Sequence, residues 1–142
     1  MESDSGHEQL FQWHEEFSVA VDEMDDHHKK LFNMSEKVIR AVDLADEKVA
    51  ERALDFLIEY SQSHFLDEED LMLRHGYPEL HQHKRIHKRL TESIIKLQKE
   101  LEANSYKAGI DLGLFLKEWI LNHVLTEDQK YAHFLGHSNS AK

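Results

Sequence analysis

From Leu80 to Leu101 the chain repeats in unbroken steps of three and four: Leu80, His83, His87, Leu90, Ile94, Leu97, Leu101. That period marks the one stripe of an α-helix that packs into a bundle. It puts both His83 and His87 on the buried stripe. Three other segments carry related stripes. One runs Met24, His28, Leu31, Ser35, Val38, Val42, and a second runs Leu54, Leu57, Ser61, His64, Glu68, Leu71, His75. The last is Leu112, Leu116, Trp119, His123. Each segment places a metal-type ligand where a bundle expects leucine.

Only one proline and five glycines interrupt the 142 residues. Leu, Ala, Glu and Lys are abundant, so helix is the default. The stripes predict helices over 21–43, 47–75, 79–103 and 108–135. Gly76 suits a helix C-terminus, Pro78 suits the first turn of the next helix, and Asn104-Ser105 marks the turn into the last. Short connections force neighbouring helices antiparallel. The expectation is all-α: an N-terminal arm (1–20), an up-down-up-down four-helix bundle (21–136) and a flexible tail (137–142). Trp13 and Phe17 are the arm's expected anchors.

The formal charge of −11 argues against a nucleic-acid partner, which would need a basic face. Membrane insertion is not expected. The longest apolar stretch, 112–125, carries Lys117, Glu118 and His123. Met1 to Leu10 is acidic and does not read as a signal peptide. A cytoplasmic, monomeric protein is the plain expectation. The absence of cysteine rules out disulfides, iron–sulfur clusters and cysteine-ligated zinc.

A lone inward histidine is more often a satisfied core residue than a ligand. The His83/His87 spacing also recurs at His133/His137, which straddles Gly136 and reads as surface. The joint pattern differs, because five histidines and two carboxylates would share one interior. Leaving seven such groups unsatisfied would cost on the order of 10 kcal/mol, against a total stability of ~5–15 kcal/mol. A metal removes that cost. Seven ligands exceed one tetrahedral zinc and suit two metals bridged by carboxylates.

Among neighbours, His28 is on the stripe and His27 is about a quarter turn away. Glu68, rather than Glu69, lies one turn from His64, and His81 is off its stripe. The last helix is ambiguous. Glu127 is one turn after His123, whereas Asp128 lies about 140° around an ideal helix, so spacing alone favours Glu127. Asp25, one turn before His28, could hydrogen-bond a ligand imidazole or stay solvated.

Together these residues resemble the hemerythrin family, specifically the single-domain bacterial hemerythrins. The resemblance runs from Trp13 to about Leu135. It rests on Trp13…Phe17-Ser18-Val19, Asp25-x-x-His28-Lys29-x-Leu31 and His64-Phe65-x-x-Glu68-Glu69-x-Leu71-Met72. It continues through Tyr77-Pro78, His83/His87 and Trp119-x-x-x-His123-x-x-x-x-Asp128. Met24 and His27 stand where Ile and Gln are common in the family, and Ile120 where Leu is.

The resemblance implies two iron ions. His83, His87 and His123 would hold one, and His28 and His64 the other. Glu68, Asp128 and an oxo or hydroxo group would bridge them. It selects Asp128 over Glu127. The two-histidine iron would keep an open position for dioxygen, walled by Leu31, Phe65, Trp119, Ile120 and Val124. The implied function is reversible dioxygen binding by a non-enzymatic carrier, store or supply protein, with an oxygen-consuming enzyme as a partner. The alternatives are a diiron enzyme (ferroxidase, peroxidase or nitric-oxide-reducing), an oxygen or redox sensor, and a zinc-bound structural bundle. Carboxylate-rich sites usually activate oxygen; five imidazoles favour reversible binding.

Overall fold

The computed structural model describes residues 13–103 and 105–140, without the side chains of 105–108, 120, 121 and 137–140. Its helices are α1 (Asp22–Asp43), α2 (Glu47–Arg74), α3 (Leu80–Ala103), α4 (Ser105–Asn122) and α5 (Asp128–Ser140). A five-residue π turn, His123–Glu127, joins α4 to α5, so the two form one continuous fourth rod. The described residues contain no strand. α1 packs on α2 and α4, and α3 packs on α2 and α4, closing the four rods into a ring. The fold is an all-α four-helix bundle.

Local chemistry explains the element ends. Asp46 caps α2 by accepting a hydrogen bond from the Val49 N–H at 3.3 Å. The other end of α2 closes with paired bonds, Tyr77 N–H to Met72 O (2.9 Å) and Gly76 N–H to Leu73 O (3.1 Å). Gly76 adopts φ +68°, as that closure requires. Pro78 lies in the turn ahead of α3 rather than inside its first turn. His75, expected on the inward stripe, is exposed. It is the C-cap residue of α2, where the stripe's helical register has ended, and its Nδ1 lies 2.9 Å from Leu71 O.

The fourth rod begins at Ser105 rather than 108 and continues helically to Ser140, through residues 137–140. Gly109 lets it approach α1 closely: a Cβ there would lie 2.5 Å from Val42 Cγ1. In the arm, a 3-10 turn (Glu15–Phe17) presents Phe17 edge-on to Phe32, with ring centroids 4.9 Å apart, and Trp13 packs on the same ring at 5.7 Å. Residues 1–12 of the arm lie outside the described residues. No helix of the described residues is long and apolar enough to cross a membrane.

The apolar core is split in two. One cluster contains Leu31, Phe32, Phe65, Ile94, Trp119 and Val124; the other contains Met24, Leu71, Met72, Leu80, Tyr131 and Leu135. Along every rod, the histidines and carboxylates predicted as ligands come at the boundary between these clusters. Four helices therefore deliver their polar residues to one layer enclosed by hydrocarbon.

Candidate metal centre

His28, His64, Glu68, His83, His87, His123 and Asp128 are all buried, with Glu68 and Asp128 fully inaccessible. Their donor atoms converge. Glu68, His83, His87, His123 and Asp128 form one group able to hold a metal ion, and His28, His64 and Glu68 form another.

The carboxylate oxygens divide between these groups. Glu68 Oε1 lies 3.1 Å from His83 Nε2 and 3.0 Å from His87 Nε2. Glu68 Oε2 lies 3.5 Å from His28 Nε2 and 3.6 Å from His64 Nε2. Asp128 Oδ1 lies 3.2 Å from His83 and 3.1 Å from His123, while its Oδ2 lies 3.3 Å from His28. Metal bonds of ~2.0–2.2 Å place neighbouring donors about 3.0–3.5 Å apart. The observed separations fit that requirement.

Asp128 reaches the layer because of the π turn. Its backbone N–H donates to His123 O, five residues back. A π turn adds one residue to the helical circuit, so the fifth residue takes the place the fourth would hold in an α-helix. Glu127 is displaced outward, where it pairs with Lys130 at 3.4 Å. The turn thus puts the Asp128 carboxylate, rather than that of Glu127, in the buried layer.

The layer is electrostatically tight. Both nitrogens of His28 and His123, His87 Nε2 and both oxygens of Asp128 are buried without a well-directed hydrogen bond among the described residues, although several of them face an opposite charge. Such atoms are costly unless something compensates them. Burial disfavours the charged form of His28, but the carboxylates of Asp128 and Glu68 outweigh it and raise its pKa to about 10. The same balance raises His83 to about 9. For His64 burial wins, and its pKa falls to about 3. Burial alone would raise Glu68; His28, His83 and His87 instead hold it well below the usual carboxylate range.

Side chains around the cluster orient it. Glu69 Oε2 lies 2.7 Å from His87 Nδ1, a carboxylate behind the imidazole. Asp25 contacts no ligand imidazole: it accepts from Ser18 Oγ (2.6 Å) and the Val19 N–H (2.9 Å), tying the arm to α1.

Tyr131 was not singled out by the sequence, yet it is fully buried and its hydroxyl donates to Glu68 Oε2 at 3.0 Å. Its position one turn after Glu127 and three residues after Asp128 was the only signal. Tyr131→Phe should cost the metal-free chain ~1–3 kcal/mol, because a buried carboxylate oxygen loses its donor. Denaturant unfolding would measure this, and an unchanged midpoint would show that the hydroxyl is energetically idle.

Beside the cluster lies a small cavity of about 10 Å³, bordered by Leu31, Phe65, Trp119 and Val124 together with His28, His64 and His123. Four of the five expected pocket residues therefore meet there. The Ile120 side chain lies outside the described residues.

A closed bundle with a buried histidine–carboxylate layer defines a cation-binding four-helix protein. The profile of the Hemerythrin HHE cation binding domain matches residues 19–135. The chain belongs to the hemerythrin family. It is 32% identical over 121 residues to a myohemerythrin of Theromyzon tessulatum, covering 85% of this chain and 90% of that one. It is 27% identical over 123 residues to a bacteriohemerythrin of Stenotrophomonas maltophilia, covering 87% and 80%. It superposes on a crystallised hemerythrin with a single leucine-to-tyrosine substitution at a TM-score of 0.80. That chain is 31% identical, and the match covers 87% of this chain and 95% of that one.

Proposed function

We propose that the buried layer holds two iron ions and that the chain binds dioxygen reversibly, as a carrier, store or supply protein rather than an enzyme. The observation that carries this reading is the division of both carboxylates between two histidine groups. Glu68 and Asp128 each turn one oxygen toward His83 and its neighbours and the other toward His28. Under this reading His83, His87 and His123 would hold one iron, His28 and His64 would hold the other, and Glu68 and Asp128 would serve both. When bound, the iron pair supplies the two electrons that dioxygen takes up, and recovers them on release.

The protein's own contribution is geometry and dryness. Two histidines against three leave the His28–His64 side with fewer ligands, and both of these histidines border the cavity. Leu31, Phe65, Trp119 and Val124 exclude water from it. Tyr131 and Glu69 hold Glu68 and His87 in place. Imidazole-rich ligation favours release of unreduced dioxygen over its activation. A cysteine-free, acidic chain suits a cytoplasmic setting.

The test is to expose the reduced, iron-loaded chain to oxygen and then remove it. A visible absorption that appears and disappears supports the proposal. Sustained consumption of reductant would mark a diiron enzyme instead. The wall gives a second test. Leu31→Asn places a polar group in the cavity and should speed decay of the oxygenated band on the order of tenfold while iron content stays normal. An unchanged decay rate would mean that Leu31 does not guard the site.

A further inference from the structure

One more group of metal-type donors converges outside the buried layer. Glu23 and His27, one turn apart on α1, face Asp67 of α2, and a ligand atom from each lies within 4.8 Å of the others. Glu23 and Asp67 are exposed, and His27 is half-buried. Exposed carboxylates near a histidine are common, so convergence alone decides nothing. The decisive feature is how His27 is held. Its Nδ1 lies 2.9 Å from Nδ1 of His64, and its ring meets Tyr60 edge-on at 5.8 Å. Its other nitrogen, Nε2, is thereby turned toward Glu23 Oε2, 4.0 Å away. An imidazole fixed through one nitrogen, with the other facing carboxylates, has the typical arrangement of a metal ligand.

We propose that Glu23, His27 and Asp67 form an outer divalent-cation site that captures ferrous iron at the surface and passes it to His64 behind. The intake role rests on the diiron reading; the cation site itself does not. One imidazole with two carboxylates suits a first-row divalent ion better than magnesium or calcium, which take oxygen ligands. The exposed side chains of Glu23 and Asp67 are free to close the remaining distance around a cation.

The His27–His64 contact also gives the transfer a direction. Only one hydrogen fits between the facing Nδ1 atoms. With a cation on His27 Nε2, that hydrogen sits on His27 Nδ1, and His64 keeps its other hydrogen on Nε2. With a metal on His64 Nε2, the shared hydrogen sits on His64 Nδ1, and His27 carries its own on Nε2, facing the outer carboxylates. Both rings are neutral in either state: the hydrogen displaced from His64 Nε2 leaves through Glu68 Oε2, 3.6 Å away, and His27 Nε2 takes one from solvent. Filling the inner position therefore weakens the outer one and favours onward movement.

The test compares the full chain with the Glu23→Gln/Asp67→Asn double variant, neither change touching the buried layer. Manganese is titrated into the iron-free chains, in which His64 is not held by iron, and the unbound ion is counted by EPR. Ferrous uptake by the same iron-free chains is followed separately. The wild-type chain should bind one manganese more than the variant. Uptake should be on the order of tenfold slower in the variant, reaching the same final iron content. Equal manganese binding by both chains overturns the site. Loss of manganese binding with equal uptake rates overturns the intake role. If neither chain takes up iron, the diiron reading fails, and the manganese difference on the metal-free chains still decides the outer site.

Discussion

Stripping iron from the reconstituted chain should lower its thermal midpoint by on the order of 15 °C at pH 7, and by more at pH 9. The first part follows from the buried atoms of His28, His87, His123 and Asp128 that make no well-directed hydrogen bond. Each costs ~1–3 kcal/mol when nothing compensates it. Recovering about 5 kcal/mol through metal binding corresponds to roughly 15 °C for a domain of this size.

The second part follows from the imidazoles. In the metal-free chain His28 and His83 have folded pKa values raised to about 10 and about 9. Their unfolded value is ~6.5, so the stability they add is full below that pH and is lost as pH rises through 9 and 10. His64 is lowered to about 3, so its contribution is full above ~6.5 and is lost as pH falls. Glu68 is depressed, and its contribution is full above the unfolded carboxylate range and is lost in acid. The metal-free chain should therefore be most stable near pH 6.5. In the loaded chain these imidazoles hold metal rather than protons, and the alkaline loss disappears. Circular-dichroism melts of loaded and chelator-treated protein at pH 7 and 9 measure both effects. Equal midpoints would mean that the layer is not metal-bound; a gap that narrows with pH would contradict the charged His28–Asp128 arrangement.

The bundle was legible in the sequence because the 3-4 stripes carry both kinds of information at once. The spacing of His83 and His87 within Leu80–Leu101 fixes helix and face together, and both rings are buried where the stripe puts them. What ideal periodicity could not supply was any departure from it. The stripe on α2 extends to His75, yet the helix has already ended at Arg74, and a residue in the cap escapes the register. The π turn is the same failure in stronger form: nothing in His123–Glu127 announces a wide turn, and 100° per residue then misplaces everything after it. Tyr131 was lost for that reason, since it follows the turn, and its partner Glu68 lies 63 residues away on another helix. The ring of His27 was legible as off-stripe, but its contact with His64 is a product of the α1–α2 packing and no local pattern encodes it.

Asp128→Ala should reduce iron loading from two ions per chain to one or fewer, whereas Glu127→Ala should leave it near two. Asp128 contributes an oxygen to each side of the layer, so its loss takes a ligand from both metals at once. Removal of an outer partner of a ligand costs ~10–100-fold in metal affinity; removal of a shared ligand should exceed that. Glu127 faces Lys130 at the rim, and its truncation sacrifices only a partly exposed ion pair, worth ~1 kcal/mol or less. The contrast isolates the π turn, because in a regular helix the ranking would be reversed. Deletion of Thr126, an exposed residue inside the turn, sharpens the test. It removes the extra residue, returning the segment to α-helical register with the aspartate now four places after His123. The donor stays on the inward face, so this shorter chain should load more iron than Asp128→Ala despite the altered backbone. Iron analysis after desalting reads all three variants. If the deletion loses as much iron as Asp128→Ala, the wide turn itself, rather than the face it presents, is what the layer requires.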